Sequence, residues 1–153
     1  MKQSSLKSYS IDQLLKLYDN GKLKNTAQLI VLLDKLFSYY IRAQSATCVL
    51  LQAQKPWNCD TRIQAGHVFS RKCLALRFDE NNVYPQCATC NLRHSMGSDH
   101  NYYHNWLKQR IGIHEYTKLE QIYTSMAPVK LSKQWHIDKI EHYRALYKNG
   151  SYL

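Results

Sequence analysis

The residues with the plainest chemistry in this chain are cysteines. Cys87-Ala88-Thr89-Cys90 is a C-x-x-C knuckle, a spacing at which two thiolates can grip one tetrahedral zinc ion from a tight turn. Such a site needs two more ligands, and Cys48 and Cys59 lie upstream, farther apart than a usual ligand pair. Cys73 is the fifth cysteine and an alternative ligand; its preferred reading is a small buried side chain. A C-x-x-C can also be redox-active, but no βαβ pattern surrounds this one, which favours zinc. Three further pieces stand around the frame in order: Gly66-His67, then Asn82-Val83-Tyr84-Pro85-Gln86-Cys87, then Cys90-Asn91. Taken singly, each has an ordinary role: His67 as a hydrogen-bonded structural histidine, Asn82 as a turn residue, Asn91 as a helix N-cap.

Taken together, they resemble the HNH (ββα-metal) nucleases. In that family a histidine ends the first strand of a hairpin, and an asparagine ahead of the knuckle braces the loop. A His or Asn directly after the knuckle's second cysteine holds the catalytic metal. The resemblance implies those roles for His67, Asn82 and Asn91. The chemistry suits the residue types. A neutral imidazole can take the proton of an attacking water near neutral pH. A hard divalent cation, Mg²⁺ or Mn²⁺, can sit on phosphate oxygens and accept the Asn91 amide oxygen as a ligand. Zinc held by sulfur would then be structural, and the oxygen-held metal catalytic. One departure is Gly66, where many HNH enzymes carry an Asp or His as a second metal ligand.

A closer resemblance rests on Tyr40-Ile41-Arg42, Ala65-Gly66-His67, Leu76-Arg77-Phe78, the run Asn82 to Asn91, and Arg110-Ile111-Gly112. These look like the phage NinG/Rap recombination nucleases, from about residue 36 to residue 122, and the helix near Trp135 resembles that family's C-terminal segment. The resemblance implies a phage endonuclease acting on branched recombination intermediates, including Holliday junctions. Gln64 stands where an Asp is expected and Ser98 where an Asn is common. Gln64 cannot act as a carboxylate.

The elements that must position these residues are legible in outline. Ser10 and Gln13 form a capping box, followed by Ile11, Leu14, Leu15 and Tyr18 at helical spacing, with a stop at Asn20-Gly21. A second helix begins near Asn25-Thr26 and carries the apolar stripe Leu29, Leu32, Leu33, Leu36, Phe37, Tyr40. From about residue 46 the helical period disappears. Val68-Phe69-Ser70 and Val83-Tyr84-Pro85-Gln86 read as two short strands around the turn Asp79-Glu80-Asn81-Asn82. Pro85 makes the second strand short or an edge. A helix is expected from around Cys90, interrupted near Gly97 and stopping at Gly112. Two more close the chain. One is marked by Tyr116, Leu119, Tyr123 and Met126, with Pro128 beyond it; the other is capped by Ser132 and stops at Asn149-Gly150.

The fold expected is α+β: one domain (1–153), with N-terminal helices (1–45), a zinc-stapled ββα-metal core (46–112) and C-terminal helices (113–153). The net charge of +10 points to a polyanion, with DNA foremost. Its excess is spread over all three segments, which favours a folded basic surface over a basic tail. Arg71, Lys72, Arg77 and Arg93 flank the motifs as candidate phosphate contacts, with ordinary solvated surface as the plain alternative. His94, His100 and His104 read as exposed helix histidines. No run is long and apolar enough for a membrane span and no signal peptide is read, so no membrane partner is expected and a cytoplasmic location is. A reducing compartment fits metal-bound cysteines. A homodimer would match a two-fold junction. The alternatives are a zinc-containing module that binds DNA without cutting it, and a sequence-specific or nonspecific phage HNH nuclease.

Overall fold

The computed structural model describes residues 3–97, 100–125 and 127–150, with only the backbone of His100. Ser98 and Met126 therefore lie outside the described residues. The chain is α+β and packs as two compact units, Met1–Tyr40 with Lys130–Leu153, and Ile41–Val129. Packing thus places 113–129 with the cysteine-rich segment, beyond the boundary at 112 read from the sequence.

The first unit is helical. It contains α1 (Gln3–Leu6), α2 (Ile11–Asp19), most of α3 (Thr26–Ala43) and α6 (Lys133–Asn149). The Ser10 Oγ accepts from Gln13 N at 3.2 Å, and Gln13 Oε1 accepts from Ser10 N at 2.8 Å, which completes the expected capping box. Ser132 caps α6 by accepting from Trp135 N at 3.0 Å, and Gly150 ends it in the left-handed region. Leu14, Leu29, Leu32, Leu33 and Leu36 are buried, and Phe37 meets Tyr143 edge-on at 5.2 Å. Arg144 joins Asp19 at 2.7 Å.

The second unit carries the cysteines. Strands β1 (Ile63–His67) and β2 (Val83–Cys87) pair antiparallel from Ile63↔Cys87 to His67↔Val83. They lead directly into α4 (Ala88–Ser95), and α5 (His100–Ser125) follows. The second strand is where the sequence placed it, but the first is not Val68–Ser70. Ala65 and Gly66 are poor strand formers and hid it. Past Val68, the Phe69 backbone bonds the Asn82 side chain at both its N–H and its C=O and leaves the ladder. Helix α4 begins at Ala88, earlier than Cys90, because Cys87 caps it: its Sγ accepts from Cys90 N at 3.4 Å. The expected break near Gly97 is present, with φ at +77°. The expected stop at Gly112 is present too: its φ of +80° and ψ of 156° are non-helical and favour glycine, so α5 is two helices that meet there at a kink.

Gly66 has a different physical reason to be glycine. Its Tyr84-paired backbone passes so close to buried Gln86 that an added Cβ would lie 2.2 Å from Gln86 Oε1 and 2.9 Å from Gln86 Cβ. A side chain at this position therefore has no room beside Gln86. Gly66→Ala should destabilise the protein by about 1–3 kcal/mol, the usual cost of overpacking. Denaturant unfolding of the metal-loaded protein measures this. Adding Gln86→Ala should recover part of the loss; purely additive losses would contradict the steric cause.

Candidate metal and nucleic-acid site

The four cysteines expected to bind zinc come together. The Sγ atoms of Cys48, Cys59, Cys87 and Cys90 all lie within 4.8 Å of one another, and Cys59 and Cys90 are 3.7 Å apart. Zinc–sulfur bonds of about 2.3 Å in a tetrahedron put the sulfurs about 3.8 Å apart, so the donor set fits one zinc ion. Cys73 is half-buried and stands outside the cluster. The wide spacing of Cys48 and Cys59 is bridged by a loop whose ends are tied down. Val49 N donates to Pro85 O at 2.9 Å, and Asp60 clamps the knuckle by accepting from Thr89 N and Thr89 Oγ1, each at 2.7 Å. The Thr89 hydroxyl, with the Arg62 N–H, holds the Asp60 carboxyl down to about 2.

Metal-free, the thiols differ. Burial raises Cys48 to about 11 and pushes Cys90 well above its ordinary value. Burial also opposes ionisation of Cys87, but hydrogen bonds from its neighbours, with Cys90 foremost, bring it below the ordinary value. A cation that binds here must displace thiol protons, and burial makes that hardest at Cys48 and Cys90.

Asn82 is fully buried and all its side-chain bonds are structural. Its Oδ1 accepts from Phe69 N at 2.7 Å, and its Nδ2 donates to Phe69 O at 3.0 Å and Leu76 O at 2.9 Å. Buried and bonded at both ends of its amide, it ties the Phe69 and Leu76 backbones together.

His67 ends β1, half-buried, with Nε2 3.0 Å from Arg77 O. A carbonyl only accepts, so Nε2 carries the proton and the basic lone pair of the neutral ring lies on Nδ1. Asn91 lies in the first turns of α4; it does not cap the helix, because Cys87 does. Its Nδ2 donates to Gln64 Oε1 at 2.7 Å, which leaves Oδ1 as the atom suited to a hard cation. Asn91 and Gln64 line a shallow depression of about 340 Å³ with Arg62, Ala88, Thr89, Leu92 and Ser95. His67 is not among those lining residues. Strand alternation puts Gln64 and His67 on opposite faces of β1. The structure therefore brings Asn91 together with Gln64 and Arg62 in that depression.

Arg71 and Lys72 are exposed. The Arg77 guanidinium lies 5.7 Å from the Phe78 ring centre, and that of Arg93 lies 4.6 Å over Trp57. Two histidines depart from the sequence reading. His94 is buried, with Nε2 2.9 Å from Val68 O, and His104 is half-buried, with Nδ1 2.8 Å from the Tyr116 hydroxyl. His104 meets the Phe69 ring edge-on at 5.1 Å, and His94 packs against Tyr103 and His104, contacts that helical spacing alone does not reveal. Arg62 and Trp57 went unnoticed in the sequence. Arg62 immediately precedes β1 and accepts from Ala88 N through its backbone O at 2.9 Å, a placement visible only once β1 is placed correctly.

The fold and site define a class: a small α+β protein in which four clustered cysteines, able to hold a metal ion, lie where a β-hairpin meets the helix that follows it. The family model described as Bacteriophage Lambda NinG protein matches residues 6–151, and the chain belongs to that family. No curated protein and no solved structure matches the chain. No helix among the described residues is long and apolar enough to cross a membrane.

Proposed function

We propose that the protein is a zinc-stapled, Mg²⁺- or Mn²⁺-dependent endonuclease of the HNH kind that hydrolyses DNA, with branched recombination intermediates such as Holliday junctions as its substrates. The observation that carries this reading is the brace made by Asn82. Its three hydrogen bonds fix the loop behind His67, in a hairpin whose second strand ends at Cys87 and leads into α4, which carries Cys90 and Asn91. That is the order of parts an HNH centre uses: histidine at the end of a strand, loop brace, knuckle, metal-binding amide. NinG family membership and the charge of +10 support a phage protein that engages DNA. His67 would take the proton of the attacking water, and Asn91 Oδ1 would hold the catalytic cation. When bound, that cation would neutralise charge on the phosphate. Arg62, Arg71, Lys72, Arg77 and Arg93 are the proposed phosphate contacts, and a homodimer in the cytoplasm of an infected cell would present like sites to like strands.

A second reading has its own observation. Gln64 is no carboxylate, and it engages Asn91 directly. A zinc-containing module that binds branched DNA without cutting it accommodates both facts.

Substrate preference is tested by competition binding and strand mapping at one fixed, near-physiological salt concentration. The nuclease reading predicts tighter binding to a four-way junction than to a linear duplex of the same sequences, with paired nicks near the crossover. Binding preference without nicks supports the second reading. Equal affinity with cuts scattered along linear arms removes the branched-DNA assignment.

A further inference from the structure

Four thiolates around one zinc ion carry a formal double negative charge, which burial penalises unless nearby donors offset it. For Cys87 one such donor is a backbone group, the Cys90 N–H, 3.4 Å from its Sγ. Cys90 is served differently. The indole Nε1 of Trp57 lies 3.2 Å from Cys90 Sγ, and an indole N–H can only donate. The backbone supplies its donors almost whatever the sequence, whereas this one exists because residue 57 is tryptophan. The ring is held from two further sides. Arg93 stacks its guanidinium 4.6 Å from the ring centre, and Tyr102 meets it edge-on at 5.2 Å. Arg93 follows Cys90 by three residues on α4, so the sulfur that accepts and the cation that stacks come from neighbouring positions on one helix.

We propose that Trp57 is a positioning residue for the cysteine-bound metal: its indole N–H, held in place by Arg93 and Tyr102, fixes the Cys90 thiolate and draws charge from it, so that the metal is retained. Groups that hydrogen-bond a metal ligand orient it and tune the metal, and their loss commonly costs about 10–100-fold in affinity. Trp57→Phe keeps the aromatic body and removes only the donor.

The inference rests on the four-cysteine metal reading, and the experiment separates the two. Metal content of the purified wild type comes first; a folded, reduced, metal-free protein overturns both. Zinc release to a chromophoric chelator and the sulfur-to-metal charge-transfer band of Co²⁺-loaded protein are then compared for wild type and Trp57→Phe. The expected result is zinc release faster by about tenfold or more, a displaced charge-transfer band and an unchanged far-ultraviolet circular dichroism spectrum. Arg93→Gln should speed release by less, since it loosens the ring without removing the donor. Identical release rates and spectra for wild type and Trp57→Phe overturn the role of Trp57 while leaving the metal site standing. If Trp57→Phe does not fold, the wild type loaded with ¹¹³Cd decides the matter. A scalar coupling between the Trp57 indole proton and the metal is expected across the hydrogen bond, and its absence overturns the proposal.

Discussion

Removing the metal should unfold the Ile41–Val129 unit, and Cys90→Ser should bring it close to the same state. Its regular β structure is one two-stranded hairpin, which has little stability alone in water. The run 44–62, which supplies Cys48 and Cys59, contains no helix or strand. Its position depends on a few clamps, such as Val49 to Pro85 and Asp60 to Thr89. The metal is the tie that closes this loop onto β2 and α4. Binding of a structural zinc ion is worth about 10–16 kcal/mol, so one ligand of four accounts for about 3 kcal/mol. A serine in place of Cys90 also gives up the sulfur that Trp57 serves. Zinc stoichiometry by elemental analysis and near-ultraviolet circular dichroism on chelation check this. The expected outcome is about one zinc ion per chain and loss of tertiary signal when it is stripped. A reduced protein that keeps its tertiary signal and melting temperature after complete chelation would contradict it.

His67→Ala should abolish DNA cleavage while leaving DNA binding and zinc content near wild type. A general base acts in the chemical step, and its removal typically costs about 10²–10⁴ in rate. The ring is tied by Nε2 to Arg77 O, which leaves Nδ1 as the basic atom. Truncation at Cβ should spare the hairpin, because the β1–β2 ladder is made by backbone and the loop is braced independently by Asn82. Asn91→Ala should behave differently: it should raise the Mg²⁺ concentration needed for activity without loss of zinc. Single-turnover rates across a Mg²⁺ titration distinguish the two effects. Full activity in His67→Ala would end the general-base role.

The cysteine frame was legible because ligand chemistry restricts residue type and spacing. Cys87 and Cys90 declared a knuckle, and Cys48 and Cys59 close on it despite their wide separation. Helix ends were legible where a side chain caps them, as at Ser10 and Ser132. The first strand was not. Its residues include Ala65 and Gly66, and Gly66 is selected by the crowding of Gln86 from the opposite strand, a fact no local pattern records. The burial of His94 and His104 was hidden for a similar reason: Val68 and Phe69 reach them from a segment distant in sequence. Trp57 needed the fold as well, since its link to Cys90 spans 33 residues.

The most direct test of the nuclease account is cleavage of a labelled four-way junction by zinc-loaded protein, with and without added Mg²⁺, beside His67→Ala. The account predicts Mg²⁺-dependent strand cleavage near the crossover by the wild type, and none by the variant although it binds the junction as tightly. Tight junction binding by wild type with no cleavage in Mg²⁺ or Mn²⁺ would contradict it and leave a protein that recognises branched DNA without cutting it.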